Sequence, residues 1–133
     1  MTMSTLETLS LGTECAATLT LDAAFNVHRI LGPGLLKSVY ELCLSYELKR
    51  RGAKVQNQVI IPITYNGVRL EGGLRIDMLV DDQLVVKIKA TEAIIPLYEA
   101  QLLTSLRLSR RRQGLLINFN VPQLRDGIRR IMA

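Results

Sequence analysis

Apolar residues in the first third of the chain recur at steps of three and four residues. This spacing predicts two helices, one over residues 19–31 and one over residues 35–51. Gly32-Pro33-Gly34 separates them, because glycine and proline interrupt helical backbone. Residues 1–18 show no clear periodicity of this kind and are interpreted as a loose leader.

The middle of the chain has the pattern of β-structure. Runs rich in Val, Ile and Thr predict strands over residues 55–65, 68–80 and 84–89. Asn66-Gly67 lies between the first two runs and predicts a tight hairpin, since both central positions of the favoured turn need a positive φ. The three strands therefore form an antiparallel meander.

The last third returns to mixed structure. A third helix is predicted to begin at Pro96, a favoured first helical position, and to end near Leu108. A short apolar strand over 114–119 and a last helix over 122–131 follow. The order helix, helix, three strands, helix, strand, helix predicts one α/β domain over residues 19–133.

Composition limits the class of protein. A chain of 133 residues that is 48% apolar and 22% charged can bury one core, which excludes a wholly disordered chain. No apolar run approaches the ~18 residues of a membrane span, and residues 1–11 lack the pattern of a secretory signal. Cys15 and Cys43 are too few for a disulfide framework and fit a reducing cytoplasm, so a cytoplasmic protein is expected.

Charged side chains cluster where the second and third strands meet. A three-residue turn between these strands places Asp77 directly opposite Lys87, and Arg75 opposite Lys89. Directly opposed Cβ atoms lie roughly 5 Å apart, close enough for opposite charges to pair. Alternation along the second strand places Ile76 on the other face of the sheet. The spacing is compatible with a cross-strand salt bridge on a half-exposed face and with the remainder of a metal site.

Five sequence motifs occur in a fixed order along the chain. They are Gly32-Pro33-Gly34-Leu35-Leu36-x-Ser38-Val39-Tyr40-Glu41, Leu74-Arg75-x-Asp77-x-Leu79-Val80, Val85-Val86-x-Ile88-Lys89-Ala90, Ala100-Gln101-Leu102-Leu103-Thr104 and Gly114-Leu115-Leu116-Ile117-Asn118-Phe119-Asn120-Val121. Over residues 20–132 the chain resembles the bacterial GxxExxY protein family, a small branch of the PD-(D/E)XK nuclease superfamily. The resemblance implies a core made of a helix, a three-stranded meander, a helix and a further strand.

The resemblance also implies roles for individual residues. Asp77 matches a metal-binding aspartate, Lys89 matches the lysine that helps position the attacking water, and Gln101 matches a glutamine on the helix after the meander. Two positions where the family pattern has Glu are Lys37 and Lys87 in this chain. Mg²⁺ is held by carboxylate and other oxygen ligands, so a site left with Asp77 alone is expected to bind it poorly.

The two lysines change the expected function. Each exchange of Glu for Lys adds two units of charge, so positions 37 and 87 account for four of the five units in the net charge of +5. Lys87 is expected to take the place of the metal and neutralise Asp77. The sequence therefore predicts a nuclease fold without metal-dependent cleavage and without a cofactor. Only a migrated carboxylate, from Glu41 or Glu99, would restore a Mg²⁺ site.

Three functions stay open at this point. The favoured one is a nucleic-acid-binding or regulatory module, and the others are an active Mg²⁺ nuclease with a rearranged site and a non-catalytic interaction protein, such as a homodimer. Arg110, Arg111 and Arg112 are candidate contacts to nucleic-acid phosphates, although such a run is more often a solvated loop. His28 is expected to be a packed or capping residue and not a ligand.

Overall fold

The structure, a computed structural model, describes the backbone of residues 5–133 and the side chains from residue 12 onward. It contains helices α1 (Thr5–Leu31), α2 (Lys37–Arg50) and α3 (Pro96–Ser109), a short 3₁₀ helix (Leu124–Gly127) and strands β1 (Val55–Tyr65), β2 (Val68–Val80), β3 (Leu84–Lys89), β4 (Gln113–Asn118) and β5 (Ile128–Met132). None of the described helices is both long enough and apolar enough to span a membrane.

The five strands form one sheet in the order β1-β2-β3-β4-β5. Neighbouring strands are antiparallel except for β3 and β4, which are parallel and are joined through α3. A parallel pair needs such a crossover, because the chain must return to the same end of the sheet before it starts the second strand. The predicted α/β class is confirmed.

The helices cover both faces of the sheet. On one face α1 and α2 pack over the larger core, which includes Met78, Val86 and Ile117. On the other face α3 packs over a smaller core that includes Val85 and Leu116. The β3–β4 pair is therefore covered on both sides, and its apolar residues lie in one core or the other.

The predicted meander matches the structure closely. All three strands have the predicted bounds, and Val80 pairs with Leu84 across a three-residue turn, as the sequence indicated. The ladder between β2 and β3 extends only to the Met78–Val86 pair. Beyond that pair the two strands no longer hydrogen-bond through their backbones, which leaves room for a side chain between them.

Alternation along β2 breaks at Asp77, which corrects the prediction for Ile76. Met78 lies in the core under α1 and α2, whereas Ile76 lies with Leu79 in the core under α3. Gln58, opposite this point on β1, has a φ of 52°, which marks a local irregularity in the strand pair. Asp77 lies at this break, so the direction of its side chain differs from the one that strict alternation predicts.

The first helix begins much earlier than predicted. Residues 5–18, which the sequence pattern assigned to a loose leader, belong to α1. Ala16 and Ala17 are fully buried in the larger core, and so is the Thr20 side chain. These small residues produce a weak hydrophobic periodicity although they pack closely, and alanine has the highest helix propensity. Residues 1–4 of the predicted leader lie outside the described residues.

The predicted last helix over 122–131 is wrong. The segment forms the 3₁₀ helix Leu124–Gly127 followed by β5, which pairs with β4 along an antiparallel ladder. Gly127 lies so close to the Asn118 carbonyl oxygen that a Cβ at this position would overlap it. This close approach and the ladder to β4 are long-range contacts, and they override the helical spacing of the apolar residues in the segment.

The hairpin of β1 and β2 extends past the rest of the sheet. Its outer half is two-stranded, because β1 and β2 pair as far as the Tyr65–Val68 pair, whereas β3 reaches only Met78. The register shifts at Pro62, where three residues of β2 face one residue of β1. Gly72, one of the three, has a φ of +77°, a conformation that favours glycine.

Candidate functional site

Asp77 lies at the gap between β2 and β3, and both of its carboxylate oxygens are engaged. Lys37 Nζ donates to Oδ1 at 2.8 Å, and the backbone N–H of Ile88 donates to Oδ2 at 2.9 Å. The carboxylate thus takes the place of the next backbone partner in the ladder. Its side chain is only 10% exposed. The salt bridge that was predicted for Lys87 is made by Lys37.

Lys37 reaches Asp77 because a rigid loop precedes it. Lys37 is the first residue of α2, and Leu36 before it is extended. Gly34 has a φ of +98°, which favours glycine, and its N–H donates to Asn120 Oδ1 at 3.1 Å. The loop is therefore bonded to the segment that follows β4, and this fixes the start of α2 close to Asp77.

Tyr40 makes two hydrogen bonds to the same loop. Its hydroxyl donates to the Gly32 carbonyl at 2.6 Å and accepts the N–H of Leu35 at 3.1 Å. Its ring is fully buried and is stacked on Phe119, with centroids 4.6 Å apart and planes 7° from parallel. Tyr40 therefore has a structural task in this chain, and that task positions Lys37.

A further brace joins the ends of β3 and β4, and the sequence reasoning missed its role. Asn118, fully buried, accepts the N–H of Thr91 at 3.1 Å and that of Asn120 at 3.2 Å, and its amide donates to the Thr91 carbonyl at 3.0 Å. The only signal in the sequence is an Asn within an apolar run. A buried side-chain amide needs hydrogen-bond partners, so such an Asn indicates a place where separate segments of the chain are bonded to one another.

Lys87 lies on the α3 side of the sheet and is only partly exposed. Burial lowers its pKa below the usual 10.5, and the nearby charges of Lys89 and Lys37 lower it further, whereas Asp77 opposes the shift. Lys87 makes no salt bridge or hydrogen bond within the described part of the chain. Its ammonium group is thus held near other cations without a direct partner.

The shifted pKa gives Lys87 a pH-dependent effect on stability. Its pKa is lower in the folded state than in the unfolded state, so between the two values the unfolded chain binds more protons and stability rises with pH. We expect Lys87→Met to be more stable than the unmodified chain at pH 7, with an advantage that shrinks as the pH approaches 10.5. Urea denaturation at several pH values measures this difference.

The exposed Lys49 on α2 provides the matched control for that measurement. Lys49→Met removes an exposed charge that makes no salt bridge or hydrogen bond among the described residues, so it measures at each pH what the loss of a lysine charge alone does to stability. An advantage of Lys87→Met that stays constant from pH 7 to pH 10 would contradict the assignment of a lowered pKa to Lys87.

The remaining predicted residues around β3 line a groove against α3. Lys89 Nζ lies 4.2 Å from the centre of the Tyr98 ring, a cation–π contact that holds the side chain in place. Gln101 is exposed and lines the groove, together with Arg75 and Lys87. The groove has a volume of about 490 Å³. Lys87, Lys89 and Gln101 are therefore brought together, whereas Asp77 faces the gap beside them.

The arginine run lies elsewhere. Arg111 donates to Asp82 at 2.8 Å and to the Ser109 carbonyl at 2.7 Å, so its guanidinium joins the end of α3 to the turn between β2 and β3. Arg110 and Arg112 are exposed. The turn precedes β3 and Lys89 ends it, so the run and Lys89 lie at opposite ends of that strand.

The two carboxylates that were considered as replacements are engaged in other contacts. Glu41 accepts a hydrogen bond from Gln58 at 2.7 Å, and Glu99 faces Arg129 at 3.7 Å. Neither lines the groove. His28 Nε2 donates to the Val121 carbonyl at 2.7 Å, a contact that ties α1 to the segment after β4.

A comparison with known protein families identifies the superfamily of this chain. The family model of the PD-(D/E)XK nuclease superfamily matches residues 15–131, which is most of the chain. The chain belongs to the PD-(D/E)XK nuclease superfamily. Searches of curated proteins and of solved structures gave no match. Membership in the superfamily agrees with the α/β sheet and its flanking helices.

A divalent metal is the cofactor that the superfamily implies, and the donor set around Asp77 does not fit one. Its carboxylate is paired with Lys37 and lies near Lys87, and neither lysine has a lone pair to offer when protonated. Within the described residues no three side chains of His, Cys, Asp or Glu come together as a metal site. Mg²⁺ prefers several oxygen ligands, which this PD-(D/E)XK site does not supply.

Proposed function

We propose that this chain is a nuclease-fold protein of the GxxExxY family that has lost metal-dependent cleavage and acts as a nucleic-acid-binding or regulatory module. The observation that carries the proposal is the 2.8 Å salt bridge between Lys37 and Asp77. Gly34 and Tyr40 match the Gly and the Tyr of the GxxExxY pattern and have clear structural tasks, while Lys37, which forms that salt bridge, stands at the Glu position of the pattern.

Charge explains why this pairing opposes metal binding. A divalent ion that approaches Asp77 must displace the Lys37 ammonium and must then lie near Lys87. At about 4 Å, each pair of like unit charges costs about 4 kcal/mol at the effective dielectric of a protein surface, and a divalent ion doubles this cost. A single carboxylate does not offset such a repulsion. Lys37 already gives Asp77 the counter-charge that a metal would supply.

A second candidate function is a homodimeric interaction protein, and one surface favours it. The groove between α1 and α2 has a volume of about 520 Å³ and is lined mainly by apolar side chains. Ile30, Leu42 and Tyr46 are each about two-thirds exposed, at 66%, 71% and 68%. Exposed apolar patches of this kind mark interaction sites in many proteins. A monomeric mass in light scattering over a range of concentrations would remove this candidate.

The test of the proposed loss of cleavage uses the intact chain. We expect no cleavage of plasmid or single-stranded DNA above the buffer background in Mg²⁺ or Mn²⁺, and no binding of either ion by calorimetry. Asp77→Ala, purified in the same way, is the matched control. Cleavage that persists in Asp77→Ala comes from a contaminating nuclease, whereas cleavage that Asp77→Ala abolishes would overturn the proposal in favour of an active, rearranged site.

A further inference from the structure

We propose that the groove between β3 and α3 is a metal-independent binding site for a phosphate oxyanion, with Arg75, Lys87 and Lys89 as its cationic wall. The inference rests on the proposed function, because it takes the lysines, and not a metal ion, to face the phosphate. It names a ligand class, phosphate esters, and a location that is separate from the arginine run at 110–112.

The charge of the groove is one-sided. The side chains that line it include three cations and no carboxylate, and the complete set is Leu74, Arg75, Lys87, Lys89, Leu97, Ala100, Gln101, Thr104 and Ser105. Surface cations in proteins are usually interspersed with anions, so three without a lining carboxylate produce a local positive potential. An anion is the ligand that such a potential attracts.

Asp77, the carboxylate that acts on Lys87, offsets this potential only in part, because the pKa of Lys87 is still lowered. Asp77 is held by Lys37 at 2.8 Å and by the Ile88 N–H at 2.9 Å, so its charge is balanced on the side of α2. Lys87 and Arg75 make no salt bridge and no hydrogen bond within the described residues. Their N–H donors therefore remain available to a ligand.

The wall is also partly preorganised. The Tyr98 ring fixes Lys89, and β3 is buried on both faces, which holds Lys87 and Lys89 two residues apart on the same side of the strand. Preorganised donors lose less conformational entropy when they bind. Gln101 adds an exposed amide on the facing helix, whereas the Ser105 hydroxyl already donates to the Gln101 carbonyl at 3.0 Å.

The size of the groove suits more than a bare phosphate. At about 490 Å³ it has many times the roughly 30 Å³ that one water molecule occupies in the liquid. A phosphate bound to the lysines therefore leaves room for the group to which it is esterified. Leu74, Leu97 and Ala100 give that part of the groove an apolar lining.

The charges around Lys87 favour the same ligand. Lys87 is a partly buried ammonium that lies near Lys89 and Lys37, an arrangement that disfavours its charged form. A bound phosphate would supply the missing counter-charge and form short, charge-assisted hydrogen bonds. By contrast, Arg111 in the arginine run already pairs with Asp82 at 2.8 Å, so it is less available to a ligand.

The direct test measures binding of a fluorescein-labelled 20-base-pair DNA duplex by fluorescence anisotropy in EDTA. We expect Lys87→Gln/Lys89→Gln to bind about tenfold or more weakly, as lost charge-assisted contacts predict. The salt dependence of log K should become shallower by about one to two units. Lys87→Arg/Lys89→Arg should bind within a few-fold of the unmodified chain, which separates loss of charge from loss of fold.

The matched control removes the same two charges elsewhere. Lys49→Gln/Lys54→Gln changes two exposed lysines, one on α2 and one in the loop after it, and is expected to bind within twofold of the unmodified chain. Equal losses in the two double variants would overturn the proposal, because binding would then follow overall charge. Failure of the unmodified chain to bind either DNA or inorganic phosphate would overturn it as well.

The source of the phosphate is resolved by competition. If inorganic phosphate or pyrophosphate at low millimolar concentration displaces the duplex, the groove takes free or terminal phosphate, and both probes should lose affinity in Lys87→Gln/Lys89→Gln. If the duplex stays bound, the groove takes backbone phosphodiesters. EDTA chelates divalent ions, so the binding measurement does not depend on a metal. Cleavage in the separate Mg²⁺ assay would overturn the proposed function, whereas the binding measurement would still test the groove.

Discussion

Lys37→Glu/Lys87→Glu is expected to bind Mn²⁺ on the order of a hundredfold or more tightly than the unmodified chain. The two changes remove the salt bridge to Asp77 and the second ammonium beside it, and they bring carboxylates to both positions. A gain of only ~3 kcal/mol in attraction gives a factor above one hundred, and one charge pair at about 4 Å supplies that much at a protein surface. Titration of the Mn²⁺ electron paramagnetic resonance signal measures the affinity.

Two further measurements test the same double variant. In the absence of metal the double variant should unfold at a lower temperature, because three carboxylates then repel one another, and Mn²⁺ should raise the unfolding temperature by binding the folded state. Lys37→Glu/Lys87→Glu/Asp77→Ala is the control and should lose most of the gain. If the double variant folds and its Mn²⁺ affinity is unchanged, then Asp77 and positions 37 and 87 do not converge as described.

Tyr40→Ala should lower the free energy of unfolding by about 3–5 kcal/mol, the largest stability effect expected of a single change near the site. The substitution removes the ring stacked on Phe119 and leaves the Gly32 carbonyl and the Leu35 N–H without their partner. Urea denaturation followed by circular dichroism measures the loss. The start of α2 should loosen too, which would weaken the contact between Lys37 and Asp77.

Tyr40→Phe separates the two contributions. It keeps the stacked ring and removes only the hydroxyl, so it should cost about 1–3 kcal/mol, the usual net contribution of the two hydrogen bonds that the hydroxyl makes. A loss in Tyr40→Ala no larger than that in Tyr40→Phe would show that the stack on Phe119 contributes nothing measurable to the stability of the loop.

The meander could be predicted from the sequence because its signals are local. Asn66-Gly67 fixes one turn, the three-residue turn after Val80 fixes the other, and the apolar alternation sets the register between them. The end of the chain could not be predicted in the same way. Leu124, Ile128 and Ile131 recur at helical steps, yet the close approach of Gly127 to Asn118 and the ladder to β4 make the segment a strand.

The sequence named the candidate residues but did not predict their contacts. The resemblance to a known family named Asp77, Lys87, Lys89 and Gln101, and the structure places all four around the end of β3 and the facing helix. Strict alternation made Lys87 the partner of Asp77. The break in alternation at Asp77 and the position of the loop before α2 make Lys37 the partner, and both depend on tertiary contacts with no local signal.

The shift of the strand register at Pro62 has a consequence for how this molecule behaves at high concentration. β1 is an outer strand of the sheet, and such strands invite another chain to add to them, which leads to aggregation. Pro62 has no N–H to donate, and the three residues opposite it on β2 distort the ribbon at the same point. The irregularity therefore opposes the addition of a straight strand along the whole edge of the hairpin, although Ile60 and Tyr65 are exposed there.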